Sequence, residues 1–377
     1  MSALSATVLP ANDRPRAREA GLTFGVIPTG RFNAITDVAG VTVGQVTLHD
    51  DARGMHTGVT AILPHSGNIF QEKVPAGIFL GNGFGKMTGY PQVAELGNLE
   101  TPVVLTNTLS VGEALAGVVD WTLSQPGNET VMSVNALVGE TNDGRVNDIR
   151  ARFVKPAHVL EAIRSASAGP VEEGAVGAGS GTVAFGFKAG IGTASRVLPA
   201  AAGGWTVGVL VQANFGGILT VKGVEAGLAL GGWPREDVLG NPDGSIMMII
   251  ATDAPLDARN LKRLATRAFM GMAKTGGIAS NGSGDFVIAF STSESVRVRH
   301  DAPRLEREGA ALVRNDDMTP LFMAAIEATE EAIINSLFRA RDVATCDGKV
   351  VRALPLPKIL ELLDRAGARS PSAFPQE

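Results

Sequence analysis

The sequence Asn-Pro-Asp-Gly-Ser at residues 241–245 is followed at once by the apolar run Ile-Met-Met-Ile-Ile-Ala at residues 246–251. The first five residues favour a turn, whereas the next six have the length and composition of a buried strand. Ser245 is therefore predicted to lie at the mouth of a buried strand, where a side chain is held rigidly and can still be reached. Gly244 before it has no side chain to shield its carbonyl carbon.

This position suits a serine that attacks the peptide bond preceding it. Cleavage between Gly244 and Ser245 would give Ser245 a free α-amine, whose ordinary pKa is about 7.7–8.0. Such an amine can act as general base for the hydroxyl of the same residue near neutral pH. The same residues are also typical of a plain turn before a strand, so this interpretation depends on the rest of the chain.

The composition indicates a globular protein with a sizeable core. Of 377 residues, 45% are hydrophobic and only 19% are charged, with a formal net charge of -5. No strongly basic stripe is present, so nucleic acid is not an expected partner. The first 25 residues lack the apolar segment of a secretory signal, and no apolar run has the roughly 18–20 residues that span a bilayer. We expect a soluble, cytoplasmic protein that does not associate with membranes.

Apolar runs alternate with helical patterns and glycine-rich turns along the whole chain, without a clear linker. Strands are predicted within 38–48, as a pair, and at 103–107, 183–187, 205–213, 246–251 and 286–291. Helices are predicted at 109–123 and 156–165, from a cap at Asp257 to Gly276-Gly277, from a cap at Thr319 onward, and at 357–366. Apolar strands without strict alternation indicate sheets covered on both faces, so a layered α/β or α+β sandwich is expected.

A serine and an aspartate precede the predicted strand at 286–291. Ser283 and Asp285 are two residues apart, so they point the same way if that strand begins early. A hydroxyl and a carboxylate on one face can hold an amine or orient a neighbouring hydroxyl. The alternative is a Ser/Gly turn in which Asp285 caps backbone donors.

Two further polar residues occupy places suited to binding. Asn214 ends the predicted strand at 205–213, where its amide can donate a hydrogen bond to a developing oxyanion. Glu140 lies in the glycine-flanked segment 139–144 and could bind a cationic amine. A turn residue and a solvated loop carboxylate are the respective alternatives.

Other chemistries have weaker support in the sequence. The five histidines form no His-Glu-x-x-His pair and none sits among carboxylates at ligand spacing, so no metal site is predicted and His56 is expected in a loop. The glycine-rich segment 81–86 lacks the spacing of a phosphate-binding loop and is expected to line a pocket. Cys346 is the single cysteine, in a predicted turn, so an intramolecular disulfide is excluded.

Eight segments, in order along the chain, together resemble the DmpA/BapA-type family of self-processing serine aminopeptidases, which includes L-aminopeptidase/D-esterase and β-aminopeptidase enzymes. They are residues 58–64, 82–86, 139–144, 174–188, 211–217, 244–245, 251–256 and 280–285. The resemblance runs over roughly residues 20–350. It implies an α+β fold, a four-layer αββα sandwich, and autocleavage of one catalytic domain, 1–377, into chains 1–244 and 245–377.

The resemblance also implies roles for particular residues. Ser245 would be the nucleophile and Asn214 an oxyanion donor, while Ser283 and Asp285 would support the nucleophile and its amine. Glu140 matches a residue that receives the free amino group of the substrate. Some relatives carry Glu at the position of Asp285, and some have a Tyr near the Glu140 segment, where this chain has none.

The expected function is therefore hydrolysis that releases N-terminal residues from short peptides, amides or esters through an acyl-enzyme on Ser245. No metal or organic cofactor is expected, the partner is a small peptide or amide substrate, and a homo-oligomer is expected. An ω-amino amide oligomer hydrolase and an acyltransferase use the same chemistry and remain alternatives. A catalytically silent binding scaffold of the same architecture is the alternative from a different class.

Overall fold

The structure is a computed structural model that describes residues 13–231, 244–301 and 311–369; the predicted turn at 241–243 lies outside these ranges. The strands are β1 Thr42–Asp50, β2 Met55–Leu63, β3 Glu72–Gly83, β4 Asn98–Leu99, β5 Val103–Asn107, β6 Leu137–Thr141, β7 Val183–Ala184, β8 Phe187–Lys188, β9 Ile191–Val197, β10 Thr206–Asn214, β11 Thr220–Val221, β12 Val224–Glu225, β13 Gly244–Thr252, β14 Ser283–Ser291, β15 Val298–Arg299, β16 Val343–Ala344 and β17 Val350–Val351. The helices are α1 Tyr90–Leu96, α2 Val111–Leu123, α3 Pro156–Arg164, α4 Ala226–Ala229, α5 Ala258–Lys274, α6 Thr319–Phe338 and α7 Leu356–Arg365.

Two sheets form the centre of the molecule. The smaller has the strand order β1-β2-β5-β6, and the larger has the order β15-β3-β14-β13-β10-β9 with β4 paired to β3. Strands β13 and β14 pair in parallel across the connecting helix α5, and β10 pairs antiparallel with β13. These pairings bring the beginnings of β13 and β14 beside the end of β10.

Three apolar cores separate four layers. One core lies between the two sheets, a second joins the larger sheet to α5 and α6, and a third joins the smaller sheet to α2 and α3. In β13, Ile246, Met248 and Ile250 belong to the core under the helices, whereas Met247, Ile249 and Ala251 belong to the core between the sheets. Burial on both faces explains the uninterrupted apolar run, and the predicted αββα sandwich is confirmed.

Several predicted elements agree with the structure. The strand predicted at 103–107 is β5, and the helix predicted from Asp257 is α5, whose cap is the Asp257 carboxylate that accepts a 2.8 Å hydrogen bond from the Asn260 backbone N–H. The strand predicted at 246–251 is longer in the structure, where β13 begins at Gly244 and ends at Thr252.

Three predictions of local structure were wrong. The strand predicted at 183–187 is two short paired strands, β7 and β8, because Phe185 and Gly186 adopt positive φ and make a turn. The cap of α6 is Met318 rather than Thr319, which is already helical. The strand pair predicted within 38–48 is one strand, β1, whose partner is β2.

Among the described residues, no helix combines the length and the apolar character that crossing a bilayer requires.

Candidate active site

The Ser245 hydroxyl lies at the start of β13, opposite the last residue of β10. Ser245 and Asn214 are direct partners across the two strands, and Asn214 Nδ2 lies 3.4 Å from Ser245 Oγ. The Val183 backbone N–H donates to Asn214 Oδ1 at 3.0 Å, which fixes the orientation of the carboxamide. The amide N–H groups therefore point towards the serine, as an oxyanion donor requires.

Ser283 and Asp285 lie next to this pair because β14 runs parallel to β13. Ser283 is the partner of Gly244 in the ladder, and a methyl group built on Gly244 would lie 3.3 Å from Ser283 Oγ. The Ser283 hydroxyl donates to Asp285 Oδ1 at 2.6 Å. The strand begins early enough for both side chains to share one face, so the turn-only alternative for these two residues was wrong.

The Asp285 carboxylate is buried and only half satisfied. Its side chain is fully buried, and its Oδ2 atom has no hydrogen-bond partner among the residues that the structure describes. Burial raises the pKa of Asp285 to about 6, and the hydrogen bond from Ser283 opposes that rise. An acceptor atom in this state is well placed to receive a positive charge that appears close to Gly244 and Ser245.

Glu140 approaches the site from the other sheet. It lies on β6 with 2% exposure, so the alternative of a solvated loop carboxylate was wrong. The Lys86 backbone N–H donates to Glu140 Oε1 at 2.8 Å, and the Thr108 hydroxyl donates to Oε2. Burial raises the pKa of Glu140, and these donors together with the Lys86 ammonium, 4.0 Å away, oppose the rise.

The loop after β3 connects Glu140 with the strands of the serines. A methyl group built on Gly85 would lie 3.0 Å from the Gly284 Cα atom and 3.4 Å from Glu140 Oε1. The Phe84 backbone N–H donates to the Ser283 carbonyl at 3.1 Å. Gly284 is the ladder partner of Ser245, so the Gly85 loop lies between Glu140 and the strands that carry Ser245 and Ser283. The segment at 81–86 thus lines the site, as expected.

Some site residues were missed in the sequence. Thr108 and the Val183 backbone N–H orient Glu140 and Asn214, but neither belongs to a recognisable motif. His56 was expected in a loop and is instead fully buried on β2. Burial lowers the pKa of His56 to about 4, and the neighbouring His49 contributes to the same shift.

The fold and the site together define a hydrolase of the N-terminal-nucleophile class. The chain is similar to the L-aminopeptidase D-Ala-esterase/amidase from Ochrobactrum anthropi, described as a prototype for the serine aminopeptidases and a variant of the Ntn hydrolase fold. The TM-score is 0.86 and the identity 37%, over 95% of this chain and all of that chain. A second similar structure is the PH0078 protein from Pyrococcus horikoshii OT3, with a TM-score of 0.87 and 48% identity over 94% of this chain and 99% of that chain.

The sequence comparisons give the same class. Residues 33–351 match the model of peptidase family S58. The β-peptidyl aminopeptidase BapA from Sphingosinicella microcystinivorans is 41% identical over 93% of this chain and 92% of its own length. The chain therefore belongs to peptidase family S58. It is an enzyme, a serine aminopeptidase, and the alternative of a silent binding scaffold is not supported.

Proposed function

We propose that the chain cuts itself between Gly244 and Ser245, and that Ser245 of the resulting chain 245–377 is the nucleophile that removes N-terminal residues from short peptides, amides or esters. The observation that carries this proposal is the position of Ser245 Oγ, 3.4 Å from the fixed Asn214 amide and beside Gly244, the ladder partner of Ser283. The two chains, 1–244 and 245–377, remain one folded catalytic domain, because β13 is paired on both sides with strands of the same sheet.

Self-cleavage begins when Ser245 Oγ attacks the Gly244 carbonyl carbon. The new C–O bond replaces the C–N bond, the proton of the hydroxyl passes to the departing nitrogen, and an ester links the two residues. Water then hydrolyses the ester, leaving a carboxylate on Gly244 and a free amine and hydroxyl on Ser245. The Asn214 amide supports the oxyanion that forms in each step.

The Ser283 and Asp285 pair prepares the site for the new amine. Before the cut, burial raises the pKa of Asp285 to about 6. Cleavage creates an amine next to it in the ladder, and an ammonium there stabilises the carboxylate. The hydroxyl of Ser283, which lies beside Gly244, relays this charge interaction to the reacting residue.

In turnover, the Ser245 α-amine takes the proton from its own hydroxyl as Oγ attacks the substrate carbonyl. It returns the proton to the leaving amine, and the acyl-enzyme is then hydrolysed. Glu140 receives the free amino group of the substrate. Its carboxylate is already ordered by Thr108 and the Lys86 backbone, so little is lost in ordering it on binding.

The substrates of the enzyme are peptides, and we propose that they include peptides with an N-terminal β-amino acid. This is supported by the names of two similar proteins, the BapA enzyme and a Burkholderia β-aminopeptidase that is 41% identical with a TM-score of 0.87. The test is a panel of chromogenic amides with L-, D- and β-aminoacyl groups. The wild type should release the chromophore, Ser245→Ala should not, and Ser295→Ala, on an exposed turn, should behave as the wild type.

Homo-oligomer formation and a cytoplasmic location also remain proposals. Large apolar side chains on the described surface, such as Met132 at 97% and Phe84 at 66% exposure, support association of copies. Light scattering after size-exclusion chromatography measures the assembly, and a mass of one 39.0 kDa unit would contradict it. Fractionation of the source cells tests the location.

A further inference from the structure

Two histidines face each other at the end of a hairpin, far in sequence from the residues of the active site. His49 on β1 and His56 on β2 are direct partners across the two strands, so their side chains leave the sheet on the same face. A short turn at 51–53 joins the strands, closed by the Asp50 carboxylate, which accepts from the Arg53 N–H at 3.2 Å, and by Gly54 at a φ of 61°. The turn places Asp51 beside both imidazoles.

The three side chains converge on one point. Asp51 Oδ1 lies 3.4 Å from His49 Nε2 and 3.5 Å from His56 Nε2. Zinc–nitrogen bonds of about 2.0–2.1 Å place two ligand atoms of a tetrahedral site about 3.3 Å apart. The two distances to Asp51 Oδ1 match that spacing, and one ligand atom of each of the three residues lies within 4.8 Å of the others.

The buried histidine adds an independent observation. The His56 side chain is fully buried, and within the described part of the chain its Nε2 atom has no hydrogen-bond partner, although it points to the Asp51 carboxylate. The two Nδ1 atoms lie 3.3 Å apart, where one ring donates and the other accepts. The ring that donates then carries a lone pair on Nε2, which faces the carboxylate oxygen. This Nε2 lone pair and the Asp51 oxygen are two acceptors that face each other, an arrangement that is complementary to a cation.

We propose that His49, Asp51 and His56 form a binding site for a divalent transition-metal ion of the zinc type. Two imidazoles and one carboxylate are ligands that zinc, cobalt and nickel prefer, whereas Mg²⁺ and Ca²⁺ prefer oxygen alone. Asp51 is 63% exposed, so the remaining coordination position opens to solvent. If both imidazoles bind the metal through Nε2, both carry a proton on Nδ1 and the hydrogen bond between the two Nδ1 atoms is lost. The half-buried His49 ring must therefore turn away from this contact.

The hairpin is hydrogen-bonded to the segment that follows Glu140. The His56 backbone N–H donates to Asn147 Oδ1 at 3.0 Å, and Asn147 Nδ2 donates to the buried Asp143 at 3.1 Å. Because the three side chains come together only in the folded chain, a metal ion that binds them stabilises the native state over the unfolded state.

The test is metal binding by the purified, EDTA-treated and dialysed enzyme carrying Cys346→Ser. This background removes a competing thiol, because Cys346 lies against Gly54, where a built methyl group would approach its Cβ atom to 2.7 Å. Co²⁺ binding is followed by visible absorption, Zn²⁺ by equilibrium dialysis with elemental analysis, and stability by thermal unfolding.

We expect one equivalent of Zn²⁺ or Co²⁺, a higher unfolding temperature with the metal, and no comparable binding of Mg²⁺. Asp51→Asn and His49→Gln each weaken binding at least about tenfold. His300→Gln, a change at an exposed histidine, leaves binding unchanged. Less than one equivalent, equal binding of Mg²⁺, or unaltered affinity in the double variant D51N/H49Q with native circular dichroism overturns the proposal.

Discussion

The carboxamide nitrogen of Asn214 lies 3.4 Å from the hydroxyl oxygen of Ser245, across the ladder that joins β10 to β13. The opposite end of the carboxamide is held by the Val183 backbone N–H. In the proposed mechanism this donor is in position before the substrate arrives, so the oxyanion can be stabilised without reorganisation of the side chain.

One substitution can remove the N–H donor of Asn214 and keep the side-chain oxygen that accepts from Val183. Asn214→Asp keeps an oxygen for the Val183 N–H but offers no N–H to the oxyanion, and we expect kcat to fall about 10²–10³-fold, with slower self-cleavage. The kcat of the Asn214→Ala variant should fall at least as far. Steady-state kinetics and the rate of fragment formation measure this, and a kcat for Asn214→Asp close to that of the wild type would remove the oxyanion role.

Asp285 should make the uncut chain less stable as the pH rises. Its folded pKa of about 6 exceeds its ordinary value of 3.8, so the stability contribution of the protonated form is complete below about pH 3.8 and is lost as the pH rises through 6. Two pKa units correspond to roughly 3 kcal/mol. Urea unfolding of Ser245→Ala and of Ser245→Ala/Asp285→Asn between pH 4 and pH 7 measures the difference.

The double variant should gain stability relative to the single variant over that range, because it lacks the carboxyl group that titrates. Other buried acids titrate equally in both proteins and cancel in the comparison. Parallel pH profiles for the two variants would show that burial does not perturb Asp285 in the uncut chain.

Glu140→Gln should discriminate between substrates with and without an amino group. A buried carboxylate that pairs with an ammonium loses about 2–5 kcal/mol when one partner is removed, so kcat/KM for an alanyl ester should fall about 30-fold or more. The matching propionyl ester, which lacks the amine, should change little. Glu100→Gln, at a buried glutamate bonded to Asn135, is the matched control. Equal losses on both esters would exclude the amine-anchor role.

Gly85 should tolerate a methyl group poorly, unlike Gly83 two residues before it. On Gly85 the methyl would lie 3.0 Å from the Gly284 Cα atom and 3.1 Å from the Phe286 ring, whereas on Gly83 it would meet only the Leu80 side chain at 3.8 Å or more. Overpacking of this kind costs about 1–3 kcal/mol. Gly85→Ala should slow both self-cleavage and turnover at least about tenfold, whereas Gly83→Ala should remain close to the wild type. Comparable rates for the two variants would contradict the tight packing of this loop.

The positions of the polar site residues at strand ends could be predicted, because each follows or precedes a strongly apolar run. Ser245, Asn214 and Ser283 all lie at strand ends, where turn residues meet a buried run. Their mutual distances could not be predicted, because they depend on the pairing of β13 with β14 across a helix of 17 residues.

Burial was harder to predict than position. Glu140 is followed by polar residues and a glycine, yet it lies on β6, every residue of which is buried, and the Gly85 loop packs against its carboxylate. His49 and His56 are seven residues apart, a spacing that would place them on opposite faces of a single strand, and the register of the β1–β2 hairpin brings them together. Such contacts arise from tertiary pairing, which local patterns do not encode.

The proposed mechanism requires that Ser245 become an N-terminal residue. Intact-mass measurement and N-terminal sequencing of fully active enzyme test it directly, with Ser245→Ala as the comparison. We predict two fragments, one of which begins Ser-Ile-Met, and a single uncut chain of 39.0 kDa for the variant. Fully active enzyme that consists of one unbroken chain would contradict the account.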